Sequence, residues 1–548
     1  MTGPAGPPLI DRVRGLVHRA CQIYGGGPAL PDLQLAAARL DEPLRVALAG
    51  RIKAGKSTLL NALVGQELAA TDAGECTRIV TWFRDGHTYR VMAHPRQGPP
   101  RQLPPGPTGG LLDIDLAGMR AEDVDRLVVD WPSPALRTMT LIDTPGMGSL
   151  STELSRKSEA LLGAHADAKD DDETEPRASE ADAVVYLMRH VHAGDVRFLE
   201  AFRDDPTERR PINTLGVLAR ADEVGHGRPD ALDSAAKIAG RYRDDPRVRA
   251  LCQTVMPVAG LLAVTAATLR EDEFRAINVL AEAPEADVER LLLSADRFAS
   301  AETEIALAPG LRAALLDRYG MFGLRLSLRL VHSGVATTAG ALSRELLARS
   351  GLVPLREALI SRFAARADVL KARSALLATE AVLRRFPFPA ANGLRHELEV
   401  ITSSAHEFAE VRLLDTLRGG GLMLTPQERS DAERLLGVEG VDPLTRLALP
   451  AGSAQTEVLR AAQAALSQWQ RRAEHPASAR DVREAARVLV RTGEGLLLSA
   501  LPPSAGPGGA PGGAPPGRPP GPPVSSPGGG PMSNRGPGGW PDRVVGCS

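Results

Sequence analysis

Apolar positions recur along this chain in two rhythms. From Leu44 to about Ala266, short runs rich in Val, Leu and Ile, at 45–49, 79–83, 139–142, 183–188, 214–218 and 254–258, are separated by helical or loop stretches. Strands buried on both faces read as continuous apolar runs, so this half predicts a mostly parallel sheet with helices on both faces. Ahead of it, residues 9–40 read as two short amphipathic helices broken at Gly25-Gly26-Gly27-Pro28. After about Arg270 strand signals nearly vanish. From Glu285 to about Leu498 apolar residues fall at helical spacing, as at Leu311, Leu315, Tyr319, Phe322 and Leu326. Breaks at 350–354, 386–393, 418–426 and 475–476 predict roughly four to six helices in a bundle.

The expected organisation is therefore N-terminal helices over 1–40 that pack on the helical region, an α/β domain over 41–270, an all-α bundle over 271–500 and a Pro/Gly-rich, disordered tail over 501–548. Two segments, 98–110 and 165–180, read as mobile surface insertions. The uncharged window 250–269 is long enough to span a bilayer, but Gln253, Thr254, Pro257, Gly260, Thr265 and Thr268 interrupt it, which favours a buried strand running into a helix.

Composition narrows the function classes. With 548 residues the chain has ample length for several units, and 65 basic against 67 acidic side chains leave no global field to recruit nucleic acid. An aromatic content of 3% argues against base-stacking platforms. Cys21, Cys76, Cys252 and Cys547 lie far apart, which points to a reducing compartment and away from a zinc site. The first ten residues lack an apolar stretch behind basic residues, so neither a signal peptide nor a transmembrane helix is expected, and the chain is placed in the cytoplasm. Lysine occurs only at 53, 56, 157, 169, 237 and 371, so arginine supplies nearly all the positive charge. Two of those lysines share one glycine-bounded loop, where a compact ammonium is evidently required.

That loop is Gly50-Arg51-Ile52-Lys53-Ala54-Gly55-Lys56-Ser57, followed by Thr58 and the apolar helix positions Leu59, Leu60 and Leu63. A G-x-x-x-x-G-K-S segment between a strand and a helix is a phosphate-binding loop: backbone amides curl round the anion, Lys56 reaches the terminal phosphates and Ser57 holds Mg²⁺. The strand 139–142 ends in Asp143-Thr144-Pro145-Gly146, a D-x-x-G element in which Asp143 serves the Mg²⁺ shell and the Gly146 amide senses the γ-phosphate. Thr77, twenty residues after Ser57, is the candidate for the second hydroxyl on Mg²⁺, with Thr71 and Thr81 as rivals. After the strand 214–218 comes Ala219-Arg220-Ala221-Asp222, where Asp222 can accept from guanine N1 and N2 protons and Arg220 can cover the base. The alternative role for Asp222 is a cap on the next helix. Residues 257–260 fall where a last base-contacting loop belongs.

In this order, with the long helical region behind them, these motifs resemble the bacterial dynamin-like GTPases, and are especially similar to the actinobacterial isoniazid-inducible dynamin-like group. The resemblance rests on 50–63, on 143–146, on Ala219-Arg220-Ala221-Asp222-Glu223 and on Arg318-Tyr319-Gly320-Met321-Phe322-Gly323, and it spans roughly residues 40 to 490. It implies a Mg²⁺-dependent GTP-to-GDP head on helical neck and trunk bundles, a partner head from a second copy or a paralogous dynamin-like protein, and membrane remodelling or maintenance at the inner face of the cell membrane. Where eukaryotic dynamins carry Gln-Ser in the loop, this chain has Ile52-Lys53. Ile52 cannot position water, and Lys53 either places its ammonium where a monovalent cation would sit or is a solvated surface residue.

Anionic lipid contact is expected from an excess of basic residues, eleven against four acidic between Arg312 and Arg373, or from apolar turns at 386–393 and 421–424. The same residues leave two other classes open: a regulatory GTPase whose helical half binds a protein partner without lipid, and a P-loop ATPase, against which Asp222 argues.

Overall fold

The computed structural model describes residues 8–51, 53–66, 68, 79–104, 114–144, 181–189, 213–249, 251–418 and 422–500. Among these, nine strands form one sheet: β1 Leu44–Gly50, β2 Val80–Asp85, β3 Arg90–Pro95, β4 Arg101–Gln102, β5 Val124–Trp131, β6 Met139–Asp143, β7 Ala183–Met188, β8 Thr214–Ala219 and β9 Val255–Val258, in the order β4-β3-β5-β2-β6-β1-β7-β8-β9. β1 is buried along its whole length and runs parallel to β6 on one side and β7 on the other, as its unbroken apolar sequence requires. The pairs β7–β8 and β8–β9 are also parallel, whereas β2 is antiparallel to β6, and β3 to both β4 and β5. The expected fold class, a GTPase-type sheet with helices followed by a helical region, is what is found.

Six strands match the apolar runs and three do not. The runs at β3, β4 and β5 escape notice because charge is built into that edge of the sheet: Asp130 of β5 lies in register between Arg84 of β2 and Arg90 of β3. Its carboxylate accepts from Arg84 Nε and from Arg90 Nε at 2.9 Å and Nη2 at 2.6 Å. Burial would raise the Asp130 carboxyl, but the hydrogen bonds from Arg84 and Arg90 outweigh it and hold the group below its ordinary value. Gly86 completes this corner, since a Cβ there would lie 2.7 Å from the Asp130 Cβ. Part of the insertion expected at 98–110 is thus strand β4, and 165–180 lies outside the described residues.

Among the described residues the α-helices of six residues or more are α1 Leu9–Ile23, α2 Leu30–Asp41, α3 Lys56–Val64, α4 Ala231–Asp244, α5 Gly260–Ala267, α6 Glu271–Glu282, α7 Glu285–Leu291, α8 Ala295–Ser300, α9 Pro309–His332, α10 Ala339–Arg349, α11 Leu352–Ala358, α12 Ala367–Arg385, α13 Asn392–Ser404, α14 His406–Arg418, α15 Pro426–Leu435, α16 Gln455–Glu474 and α17 Arg480–Ser499. The chain between 285 and 498 therefore breaks more often than the four to six helices expected. Periodicity runs through interruptions such as Gly320, where α9 bends at φ 62°, ψ 170°. Helices α1 and α2 bury Val13, Leu16, Val17, Leu33 and Leu40 against α12 and α13, in a core of their own with Leu376, Leu383 and Leu394. Window 250–269 is β9 followed by α5, and no described helix is long and apolar enough to cross a membrane.

Much of the basic excess between Arg312 and Arg373 is turned to the protein's own backbone. Six of its eleven cations donate to backbone carbonyls of other elements: Arg312 to Ala301 O, Arg318 to Thr268 O, Arg325 to Gly227 O and Leu292 O, Arg356 to Ala62 O and Leu63 O, Arg366 to Leu436 O and Gly437 O, and Lys371 to Leu40 O and Glu42 O. Most of these carbonyls lie in or just beyond the last turn of a helix, where four C=O groups lack intrahelical donors and the helix dipole is negative. At these six positions the basic residue acts as a helix cap and not as part of a headgroup-facing surface, while Arg329, Arg344 and Arg349 are exposed.

Candidate nucleotide-binding site

The loop after β1 has its shape imposed by glycine. Gly50 sits at φ 150°, and a Cβ there would lie 2.5 Å from Leu187 O on the neighbouring strand β7. Lys53 at φ 61° and Gly55 at φ 96° are also left-handed, and the Ala54 amide donates to Arg51 O at 3.1 Å, closing the turn. Arg51 and Lys53 are exposed, Ala54 is buried and Thr58 is half-buried, while Ile52 lies outside the described residues. Alternating handedness of this kind turns successive amides toward one concave side.

Lys56, the first residue of α3, is buried at 8% exposure and donates to Gly50 O at 3.3 Å. Burial pushes its ammonium below the ordinary lysine value, opposed by Asp143. Ser57 Oγ donates to Asp143 Oδ2 at 2.8 Å, and Asp143 Oδ1 is enclosed with no hydrogen-bond partner among the described residues. Burial raises the Asp143 carboxyl, while Lys56 and the Ser57 bond oppose it. The position is fixed by the register Leu48↔Asp143 and by Thr144 Oγ1, which donates to Leu48 O at 2.8 Å. A carboxylate oxygen enclosed without a donor, beside a serine hydroxyl and a buried ammonium, suits a phosphate-bound Mg²⁺, so these residues fit the group.

A pocket joins this loop to the segment expected to read the base. Its walls include Gly55 and Thr58 from the loop and α3, Ala219 at the end of β8 with Arg220 and Asp222 after it, and Gly260 and Leu261 at the start of α5. Three stretches separated by up to about 200 residues are thus brought to one place, including the loop at 257–260. Asp222 is buried at 7% exposure, and burial raises its carboxyl. Arg220 is left-handed at φ 54°, and its Nη1 donates to Glu223 Oε1 at 2.6 Å, while Arg189 Nη2 donates to Glu223 Oε2 at 3.0 Å. Glu223 as holder of both arginines was not legible in the sequence, because Arg189 lies on a different strand end. Of the other expected residues, Thr77, Thr71 and Gly146 lie outside the described residues, and the Thr81 hydroxyl donates to Ile79 O.

A family profile described as "50S ribosome-binding GTPase" matches residues 45–215, from β1 into β8. The "Isoniazid-induced protein IniC" of Mycobacterium tuberculosis is 40% identical over 496 residues, covering 89% of this chain and 98% of that protein. This chain belongs to the isoniazid-induced family of bacterial dynamin-like GTPases. Two further relatives match over shorter stretches: the "Bacterial dynamin-like protein" of Nostoc punctiforme is 32% identical over 188 residues, 32% of this chain and 25% of that one. The "Isoniazid-induced protein IniA" of Mycobacterium tuberculosis is 33% identical over 170 residues, 27% of this chain and 25% of that one. The chain is accordingly a GTPase with a dynamin-like head and a helical C-terminal region.

Proposed function

We propose that this family member hydrolyses GTP with Mg²⁺ in the pocket between α3, β8 and α5, and that it acts on the inner face of the cell membrane, paired with a second copy or a paralogous dynamin-like protein. The observation that carries the site is the Ser57–Asp143 pair beside Lys56, with an enclosed Oδ1 that has no partner among the described residues. Lys56 holds the β- and γ-phosphates, with the amides of residues 50–58 around them. Ser57, Asp143 and Thr77 hold Mg²⁺, which when bound neutralises charge on the β- and γ-phosphates. The Gly146 amide donates to the γ-phosphate. Asp222 accepts from guanine N1 and N2, and the Arg220 stem, steadied by Glu223, covers the base. Lys53, exposed and left-handed, brings its ammonium to the phosphates in the transition state.

For the membrane, what supports the reading is the family together with Met423, 84% exposed on the turn between α14 and α15. The other apolar turn, 386–393, is less free: Tyr24 donates to Phe386 O at 2.6 Å and its ring meets Phe388 at 6.1 Å. The test is GTP turnover of the purified chain with and without anionic liposomes, with Lys56→Ala as the blank. A several-fold lipid stimulation that Met423→Ser abolishes supports action at a membrane. Turnover indifferent to lipid overturns it and leaves a GTPase that works through a protein partner. Lys53→Ala is expected to lower kcat at least ~10-fold with GTP affinity unchanged; full turnover in that variant removes Lys53 from the chemistry.

A further inference from the structure

We propose that Arg325, on helix α9 and remote in sequence from the nucleotide motifs, is a positioning residue for guanine recognition, holding the loop that carries Asp222. The inference rests on Asp222 as the base reader. Four residues of the segment 220–227 have left-handed backbone: Arg220 at φ 54°, Gly225 at 62°, His226 at 62° and Gly227 at 67°. For a side-chain-bearing residue such a conformation costs roughly 1–2 kcal/mol, so the loop persists only where its surroundings hold it. The strand end does not hold it through a side chain, because position 219 is alanine.

The hold comes from α9. Arg325 Nη1 donates to Gly227 O at 3.1 Å and its Nη2 donates to Leu292 O at 2.7 Å, so one guanidinium fork ties the loop to the end of α7. Gly227 in turn lies against the Asp222 backbone: a Cβ there would be 3.5 Å from Asp222 O and 3.7 Å from Phe322 Cβ. Arg325 thus holds the residue that lies beside the peptide bearing the base-reading carboxylate. The angle at which α9 passes the loop is fixed a turn earlier. Gly320 bends the helix against Leu261, a wall of the nucleotide pocket, and Arg318 is anchored to Thr268 O at 3.0 Å and Thr268 Oγ1 at 2.8 Å. The helix therefore touches both the loop and the opposite wall, and the Arg325 hydrogen bonds go to Gly227 and Leu292, away from the phosphate loop and Asp143. Losing Arg325 should loosen the aim of Asp222 and spare the phosphate end.

The test compares GDP with inosine diphosphate, whose base lacks the exocyclic amine and so offers Asp222 one hydrogen bond fewer. On the full-length chain, binding constants for both nucleotides and kcat and KM for GTP are measured in the parent, Arg325→Ala, Arg325→Lys and Asp222→Asn. The parent is expected to prefer GDP by about 10-fold, the worth of one charge-assisted bond. Arg325→Ala should bring that ratio to within about 3-fold and raise KM for GTP about 10-fold with kcat within about 2-fold. Arg325→Lys, which keeps the charge but cannot span both carbonyls, should fall between, and it decides the matter alone if the alanine variant does not fold. A residue that only stabilises the fold would shift the melting temperature without moving the GDP-to-inosine ratio, and that result overturns the proposal. If Asp222→Asn changes the ratio and neither Arg325 variant does, Asp222 remains the base reader and the role of Arg325 is refuted. If Asp222→Asn leaves the ratio intact, the base reading fails, and the role of Arg325 fails with it.

Discussion

Strand β1 is bonded through backbone groups to β6 and β7 along its length, so the centre of the sheet is secured by a ladder that any sequence of buried aliphatics can form. The helices behind it have no such ladder between them. Their carbonyl ends are closed by arginines reaching in from a neighbouring helix: Arg395 to Leu383 O at 2.6 Å, Arg412 to Thr402 O at 3.1 Å and Arg446 to Leu435 O at 2.6 Å repeat the arrangement seen between 312 and 371. The composition then makes sense. A chain with many short helices has many orphan carbonyls, and the planar guanidinium, with several donors and permanent charge, serves two of them at once, as Arg366 does. Burial pushes the Arg366 guanidinium down to about 10, a cost that Glu410 only partly offsets, and the two carbonyls it satisfies are what keep it there.

The two halves meet at Gly351, and the largest expected effect lies there. It is left-handed at φ 79°, and a Cβ would fall 2.2 Å from Pro257 O at the end of β9, next to the bond from the Ala259 amide to Ser350 O at 2.8 Å. Gly351→Ala should cost about 3–4 kcal/mol, whereas Gly334→Ala, equally left-handed at φ 71° with open space around it, should cost about 1. Urea unfolding of both variants measures the difference, and equal costs would mean the junction is loose.

Next comes Arg366→Met, which keeps the side-chain volume and abandons two carbonyls, for an expected loss of about 2 kcal/mol by the same measurement. A smaller loss, about 1 kcal/mol, is expected from Asp130→Asn in the sheet, because Arg84 and Arg90 are half exposed and solvent screens them. The folded-state value of Asp130 is depressed, so its contribution is present above the ordinary carboxyl value of 3.8 and is lost as pH falls below it. Asp130→Asn should therefore flatten the stability profile in acid, whereas Arg366→Met should lower it evenly from pH 4 to 8. At the bottom of the scale, Arg349→Ala removes a surface pair with Glu345 and should change stability by less than ~0.5 kcal/mol.

Legibility followed the same divide. Residues 50–57 were readable because every part of a phosphate loop is contiguous: two glycines for left-handed turns, a lysine and a serine at fixed spacing. β5 was not readable, since Asp130 breaks its apolar run and only the flanking arginines on β2 and β3 make that charge tolerable inside a sheet. Glu223 stands in the motif, but its pairing with Arg189 and Arg220 is not written there. The caps were hidden for a plainer reason. A carbonyl acceptor has no residue type, so an arginine aimed at one leaves no pattern.

The sequence by itself determined the β/α order, the phosphate loop, Asp143 and Asp222 as acidic groups at strand ends, and a helical second half, because each is written in local spacing. Tertiary structure decided that the pocket wall is completed by α5, that α9 bends at Gly320 to pass the loop of Asp222, and that six of the eleven basic residues between 312 and 373 turn to backbone carbonyls. Those outcomes depend on which backbone groups are left without partners once the elements pack, and that is settled only when distant segments meet.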